Sequence, residues 1–144
     1  MKKTAGILIV LLAVAAVVLI FNRDREDSAP LTYIKSESTH SRFEITAGGE
    51  VIFTENIHIQ NLGDTRLRFK VTGVYSDDFR QGLLTTERLN GYTGSDRREI
   101  LELPAHTEQT FTIDFIGSQG TAAEKQDRNP PEEIVFSLVE GGEN

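Results

Sequence analysis

The sequence predicts an all-β protein, an antiparallel sandwich of about seven strands, preceded by one N-terminal transmembrane helix. Three observations predict it. Residues 5–21 carry no polar side chain and follow Lys2 and Lys3. Beyond residue 41, apolar residues recur at every second position in short runs divided by glycine, proline and asparagine, which is the period of a half-buried strand. No run in that part has the 3.6-residue period of an amphipathic helix.

The apolar stretch comes first. Its 17 residues would rise about 25 Å as a helix, a little short of a hydrocarbon core of about 30 Å. Lysines that snorkel at one end, and Asn22 with Arg23 at the other, extend the reach. The run exceeds the apolar core of about 7–15 residues in a cleavable signal. The small-residue order such a signal needs occurs only at Ala13-Val14-Ala15, inside the run, and a cut after Ala29 would set Asp27 at a small-residue site. There is no cysteine for a lipid anchor. The reading is an uncleaved signal-anchor over residues 5–21 behind a cytoplasmic leader, residues 1–4. The leader lysines favour N-terminus in, so the following domain lies outside the cytoplasm on a single-pass protein of the cell membrane.

Composition bounds the rest. The whole chain carries −7; without Lys2 and Lys3, 13 basic and 22 acidic residues leave the part beyond the anchor at −9. An acidic domain argues against nucleic acid as a partner. Zero cysteines exclude a disulfide scaffold, a thiol nucleophile and a thiolate metal site, so stability must come from burial.

Residues 22–41 read as a tether. Arg23-Asp24-Arg25-Glu26-Asp27 alternates in sign, Pro30 stops any helix, and Leu31-Thr32-Tyr33-Ile34 offers one short edge strand. The sandwich domain spans residues 42–140. Phe43 and Ile45 alternate with polar residues before Ala47-Gly48-Gly49 turns the chain. The next strand places Val51, Phe53, Ile57 and Ile59 inward, and Glu55 alone breaks that set, as at a bulge or strand end. Asn61-Leu62-Gly63-Asp64 is a turn of residue types that accept left-handed angles. Leu67, Phe69 and Val71 face inward after it, with Arg66, Arg68 and Lys70 outward. Residues 76–98 are rich in glycine and charge, with one short candidate strand at residues 83–89. Residues 99–103 form a strand stopped by Pro104, and Phe111, Ile113 and Phe115 lie inward on the next. A long polar loop over residues 118–131 leads to a last strand with Ile134, Phe136 and Leu138 inward, and residues 141–144 fray. The expected core is thus Phe43, Ile45, Phe53, Ile57, Ile59, Leu67, Phe69, Val71, Phe111, Ile113, Phe115, Phe136 and Leu138.

Two alternating strands joined by Asn61-Leu62-Gly63-Asp64, then Leu103-Pro104 before Thr110-Phe111-Thr112-Ile113-Asp114-Phe115, resemble the immunoglobulin-like, or telokin-like, accessory domains of bacterial envelope proteins. The resemblance covers residues 43–138, and Ala105 stands where a glycine usually follows the proline. It implies an immunoglobulin-like sandwich acting as a binding or scaffolding module, and it brings no catalytic residues.

The residues themselves spell out no reaction. His40, His58 and His106 fall at no metal-ligand spacing, so neither metal nor other cofactor is expected. Asp77, Asp78 and Asp96 could pair carboxylates across adjacent loops, but no calcium-loop pattern joins them. No serine lies in G-x-S-x-G or before x-x-Lys, and Gly91-Tyr92-Thr93-Gly94 lacks the lysine of a phosphate loop. Candidate partner-binding residues are the loop aromatics Phe79 and Tyr92 and the basic ladder Arg66, Arg68 and Lys70. Each has a blander reading, rings plugging the end of the core and a solvated strand face. Two function classes remain: a non-catalytic binding or assembly module for an envelope protein or wall polymer, and an accessory or degenerate domain of an extracytoplasmic enzyme system. The first is the expectation.

Overall fold

The computed structural model describes residues 30–121 and 128–140. The leader, the anchor expected over residues 5–21, residues 22–29 of the tether and the tail from residue 141 lie outside the described residues, as do residues 122–127 of the loop before the last strand. Among the described residues no helix is long and apolar enough to cross a membrane.

Eight antiparallel strands form the described chain: β1 (Leu31–Tyr33), β2 (Thr39–Ile45), β3 (Glu50–Asn61), β4 (Leu67–Val74), β5 (Arg88–Tyr92), β6 (Leu101–Leu103), β7 (Glu108–Ser118) and β8 (Glu133–Leu138). A 3-10 helix, Lys35–Glu37, lies between β1 and β2, and a five-residue helix α1, Ser76–Arg80, follows β4. The all-β, antiparallel expectation is met. The folded unit, however, begins at Leu31 rather than at residue 42: β1 pairs with the end of β3, and Leu31 is buried. Residues assigned to the tether are part of the sheet.

β3 is the spine. Its ladder with β7 runs from Glu50↔Ser118 to Gln60↔Glu108 without a break. On its other edge β2 takes Val51 to Asn56 and β1 takes Ile59 to Asn61, so two short strands share one long one. β4 is bordered in the same way, with β8 along one edge and β5 and β6 in tandem along the other. β5 joins the two halves, because it pairs with β4 on one side and with β7 through Asn90↔Ile116 to Tyr92↔Asp114 on the other. The strands therefore make one hydrogen-bonded sheet curled into a nearly closed barrel, not a clear two-sheet sandwich. Period two cannot separate these architectures, because both bury alternate residues. The outer edges approach where Tyr33 Oη donates to the Pro131 carbonyl at 3.0 Å.

Glycine makes the junction possible. A Cβ at Gly91 would lie 2.6 Å from Val71 Cγ2 and 2.8 Å from Ile113 Cγ2, and one at Gly73 would lie 2.9 Å from Phe115 Cδ1. Large side chains fill that space. Phe53, Phe69 and Phe115 are fully buried; Tyr75 stacks on Phe53 with centroids 4.3 Å apart, and Phe69 meets Phe111 and Phe136 edge-on at 6.3 and 5.7 Å.

Most expected core positions hold, with Phe43, Ile45, Leu67, Phe111 and Phe136 only partly buried. Leu138 is a correction: at 51% exposed it lies outside the core, because it ends β8, an edge strand that among the described residues pairs with β4 alone and has no second strand to cover it. Residues 83–89 are another. Leu83 and Leu84 are both buried, and they close the core as a turn after α1, with β5 starting only at Arg88. The turn after β3 is also built differently from expectation. Neither Asn61 nor Asp64 is left-handed. Instead, the fully buried Asn61 donates to the carbonyls of Thr65, Leu103 and Pro104 and accepts from Gly63 N–H, tying two turns together.

Candidate functional site

β5 and β6 run in the same direction along one edge of β4, as one strand interrupted by residues 93–100. The interruption is a hairpin of its own. Thr93 and Arg98 exchange backbone hydrogen bonds of 2.8 and 2.9 Å, with Gly94 and Arg97 at positive φ. The Arg97 guanidinium then grips Glu50 through two contacts, of 3.3 and 3.1 Å, which holds the hairpin against the start of β3. That pair keeps the Glu50 carboxyl below its ordinary range.

When the chain re-enters the sheet as β6, it regains β4 but not β7. The sheet is split there. Residues 109–112 of β7 pair with β3 on one side and, among the described residues, with no strand on the other; β6 likewise has only β4. Between them lies an open groove of about 840 Å³. Leu101 and Phe111 give it an apolar lining, Ile100 stands exposed at its margin, and Arg68, Lys70, Arg98, Glu99 and Glu102 contribute charges. Phe111 is only partly buried, and it sits at the level of the split.

The groove's charges are answered locally. Lys70 Nζ lies 2.9 Å from Glu99, Arg68 Nε 3.2 Å and Arg66 Nη1 3.6 Å from Glu102. Such exposed pairs contribute about 0–1 kcal/mol each and exchange partners readily. Of the residues singled out in the sequence, Arg68 and Lys70 line the groove, while Arg66 faces the neighbouring hollow beside Leu138. Phe79 is elsewhere, 42% exposed on α1, and Tyr92 is partly buried at the end of β5. The two rings are not in contact, and Phe79 does not plug the core. Residues 109–112 and Ile100 were missed. The available signal was length: eleven residues of β7 face only five of β5 and three of β6.

A second polar centre lies inside the barrel. The inward set of β3 is unbroken through Glu55, which is fully buried with no bulge on its own strand. The bulge is on β2, between His40 and Arg42. Alternation back from Phe43 would turn Ser41 inward; the extra residue shifts the parity and brings His40 to the inner face. His40 Nδ1 then lies 3.0 Å from Glu55 Oε1, which also accepts from Tyr75 Oη at 3.3 Å, while Oε2 has no hydrogen bond. Burial pushes the Glu55 carboxyl up to about 8, aided by the charge of Asp78 and opposed by Tyr75's hydrogen bond and by Arg128. Burial also lowers His40, raises Tyr75 well above 10, and with Glu55 pushes Tyr33 up to about 12. Burial thus disfavours the charged form of both Glu55 and His40. Arg128 stands over Phe43 at 3.5 Å and reaches Asp78 at 3.3 Å.

The loop carboxylates do not converge: Asp77 pairs with Arg80, Asp96 with Arg98 at 3.2 Å, and Asp78 with Arg128. No family model, curated protein or solved structure matches this chain.

Proposed function

We propose that this chain is a membrane-anchored, extracytoplasmic module that binds without catalysing, and that it takes an extended segment of an envelope protein into the split between β6 and β7. The observation that carries this reading is the pair of strand edges facing one groove, each with one neighbouring strand among the described residues. An unpaired edge offers backbone donors and acceptors to an incoming strand, and side-chain pockets on alternate residues then select its sequence. Leu101 and Phe111 serve as such pockets, and the exchangeable pairs of Arg68, Lys70 and Glu102 adapt to either charge. The resemblance to immunoglobulin-like envelope domains and the apolar stretch over residues 5–21 support placing the module outside the membrane.

The reading as an enzyme accessory or degenerate enzyme draws on Glu55, whose pKa suits acid–base chemistry. Its carboxyl is wholly inside the barrel and meets no solvent, so it has no substrate to touch. A photoreactive amino acid at Thr110, with Thr86 as an exposed control, tests the proposal in intact envelopes. The expected product is an adduct to one peptide segment from Thr110 and none from Thr86. Equal labelling from both sites, or adducts to wall polymer alone, would contradict it.

A further inference from the structure

We propose that Glu37, His58 and Glu108 form a binding site for a divalent first-row transition metal ion, with zinc(II) as the probe. The three residues come from the 3-10 helix, β3 and the start of β7. Their ligand atoms all lie within 4.8 Å of one another. His58 Nε2 is 3.0 Å from Glu37 Oε2 and 3.6 Å from Glu108 Oε2. Metal–ligand bonds of about 2.0–2.2 Å put neighbouring ligand atoms about 3.0–3.5 Å apart in tetrahedral or octahedral arrangements. The spacing needs only small rotations of two glutamates that are otherwise exposed.

The imidazole is set for this role at both of its nitrogens. Nδ1 lies 2.8 Å from Thr110 Oγ1, across the ladder pair His58↔Thr110. A donated Nδ1–H fixes the tautomer in which Nε2 carries the lone pair, which is how metal-binding histidines are held. Nε2 itself is sealed from solvent, and among the described residues it meets the two carboxylates at ion-pair distance but without hydrogen-bond geometry. A metal ion would bind all three groups that this arrangement already gathers.

The segment bearing Glu37 is also fastened to His58 through the backbone. Ile34 N–H donates to the His58 carbonyl at 3.0 Å, and His58 N–H donates to Ser38 Oγ at 2.9 Å. The Ser38 hydroxyl donates back to the Ile34 carbonyl at 2.9 Å. The 3-10 helix is thereby held over β3 before any ion arrives, which reduces the ordering cost of binding. One imidazole and two carboxylates give a neutral complex with a divalent ion. They favour zinc and its neighbours over calcium or magnesium, which take mostly oxygen ligands. Three protein ligands leave room for water or for a group from outside.

The test uses untagged full-length protein in detergent micelles. Zinc(II) is expected to bind with one-to-one stoichiometry by calorimetry and to raise Tm, with magnesium(II) without effect at the same concentration. His58→Gln should abolish both responses. Thr110→Val, which leaves all three ligands in place, should weaken zinc binding by about 10–100-fold. Glu37→Gln with Glu108→Gln covers the case in which the strand variants fold poorly, since both glutamates are exposed, and should remove the zinc response without lowering the metal-free Tm. Absence of zinc binding by the parent, or binding unchanged in the double glutamine variant, would overturn the proposal.

Discussion

Glu55 is the residue whose surroundings say most. In the folded protein its carboxyl lies at about 8 against an ordinary 4.5. Between those values the unfolded chain releases its proton and the folded one keeps it, so stability falls as pH rises from 4.5 to about 8. His40 works the other way: with its folded value below 6.5, its neutral form contributes stability that is lost as pH falls beneath 6.5. The two slopes oppose each other in acid, and above pH 6.5 Glu55 dominates this pair. Between pH 6.5 and 8 its contribution to the loss should be on the order of 2 kcal/mol. Urea melts across that window should show the fall in the parent and a flatter profile in Glu55→Gln; parallel profiles would mean that the carboxyl is not held neutral. Asn61 acts through satisfaction rather than charge. Asn61→Ala strands three carbonyls and one N–H, and we expect it to cost about 2 kcal/mol or more in the same assay.

At the scale of elements, the junction of β5 with β4 and β7 depends on Gly91. Gly91→Ala inserts a methyl between Val71 and Ile113 at distances no side chain tolerates. It should destabilise by about 1–3 kcal/mol, read as a lower denaturation midpoint. An unchanged midpoint would show that the strands can part there. The strand around Phe69 was legible because its apolar residues alternate strictly with Arg68 and Lys70, and those around Phe115 and Ile134 because alternation persists through all but one position each, Ile116 and Val135. β2 was less so, because one bulge residue changes the parity and hides His40 on the inner face. Glu55 was misread for a chemical reason: charge on an inward position suggests a break in the strand, whereas the protein neutralises the group and keeps the strand. Helix α1 and the Leu83-Leu84 turn had no period to find, the one too short for a helical face and the other without the alternation of a half-buried strand.

At the scale of the molecule, pattern alone left open whether alternating strands close on one another as one sheet or two. The long-range pairing of β5 decides it, and that pairing depends on glycine contacts across distant segments. The candidate groove was legible in Arg68 and Lys70, which line it, but not in its edges, because an unpaired edge is a property of the neighbours a strand lacks. Phe69 anchors the barrel between β4, β7 and β8, and Phe69→Ala should cost about 3–5 kcal/mol, with a loss under about 1 kcal/mol placing it outside the core.

The central claim is that a partner strand fills the split between β6 and β7. Hydrogen exchange at the backbone amides of residues 109–112 and 101–103 measures it most directly, comparing purified full-length protein in micelles with the same protein in native envelopes. Our account predicts that amides on the unpaired edges exchange rapidly when purified and become protected in the envelope, while the β3–β7 ladder is protected in both. Rapid exchange at those edges in both preparations would contradict it.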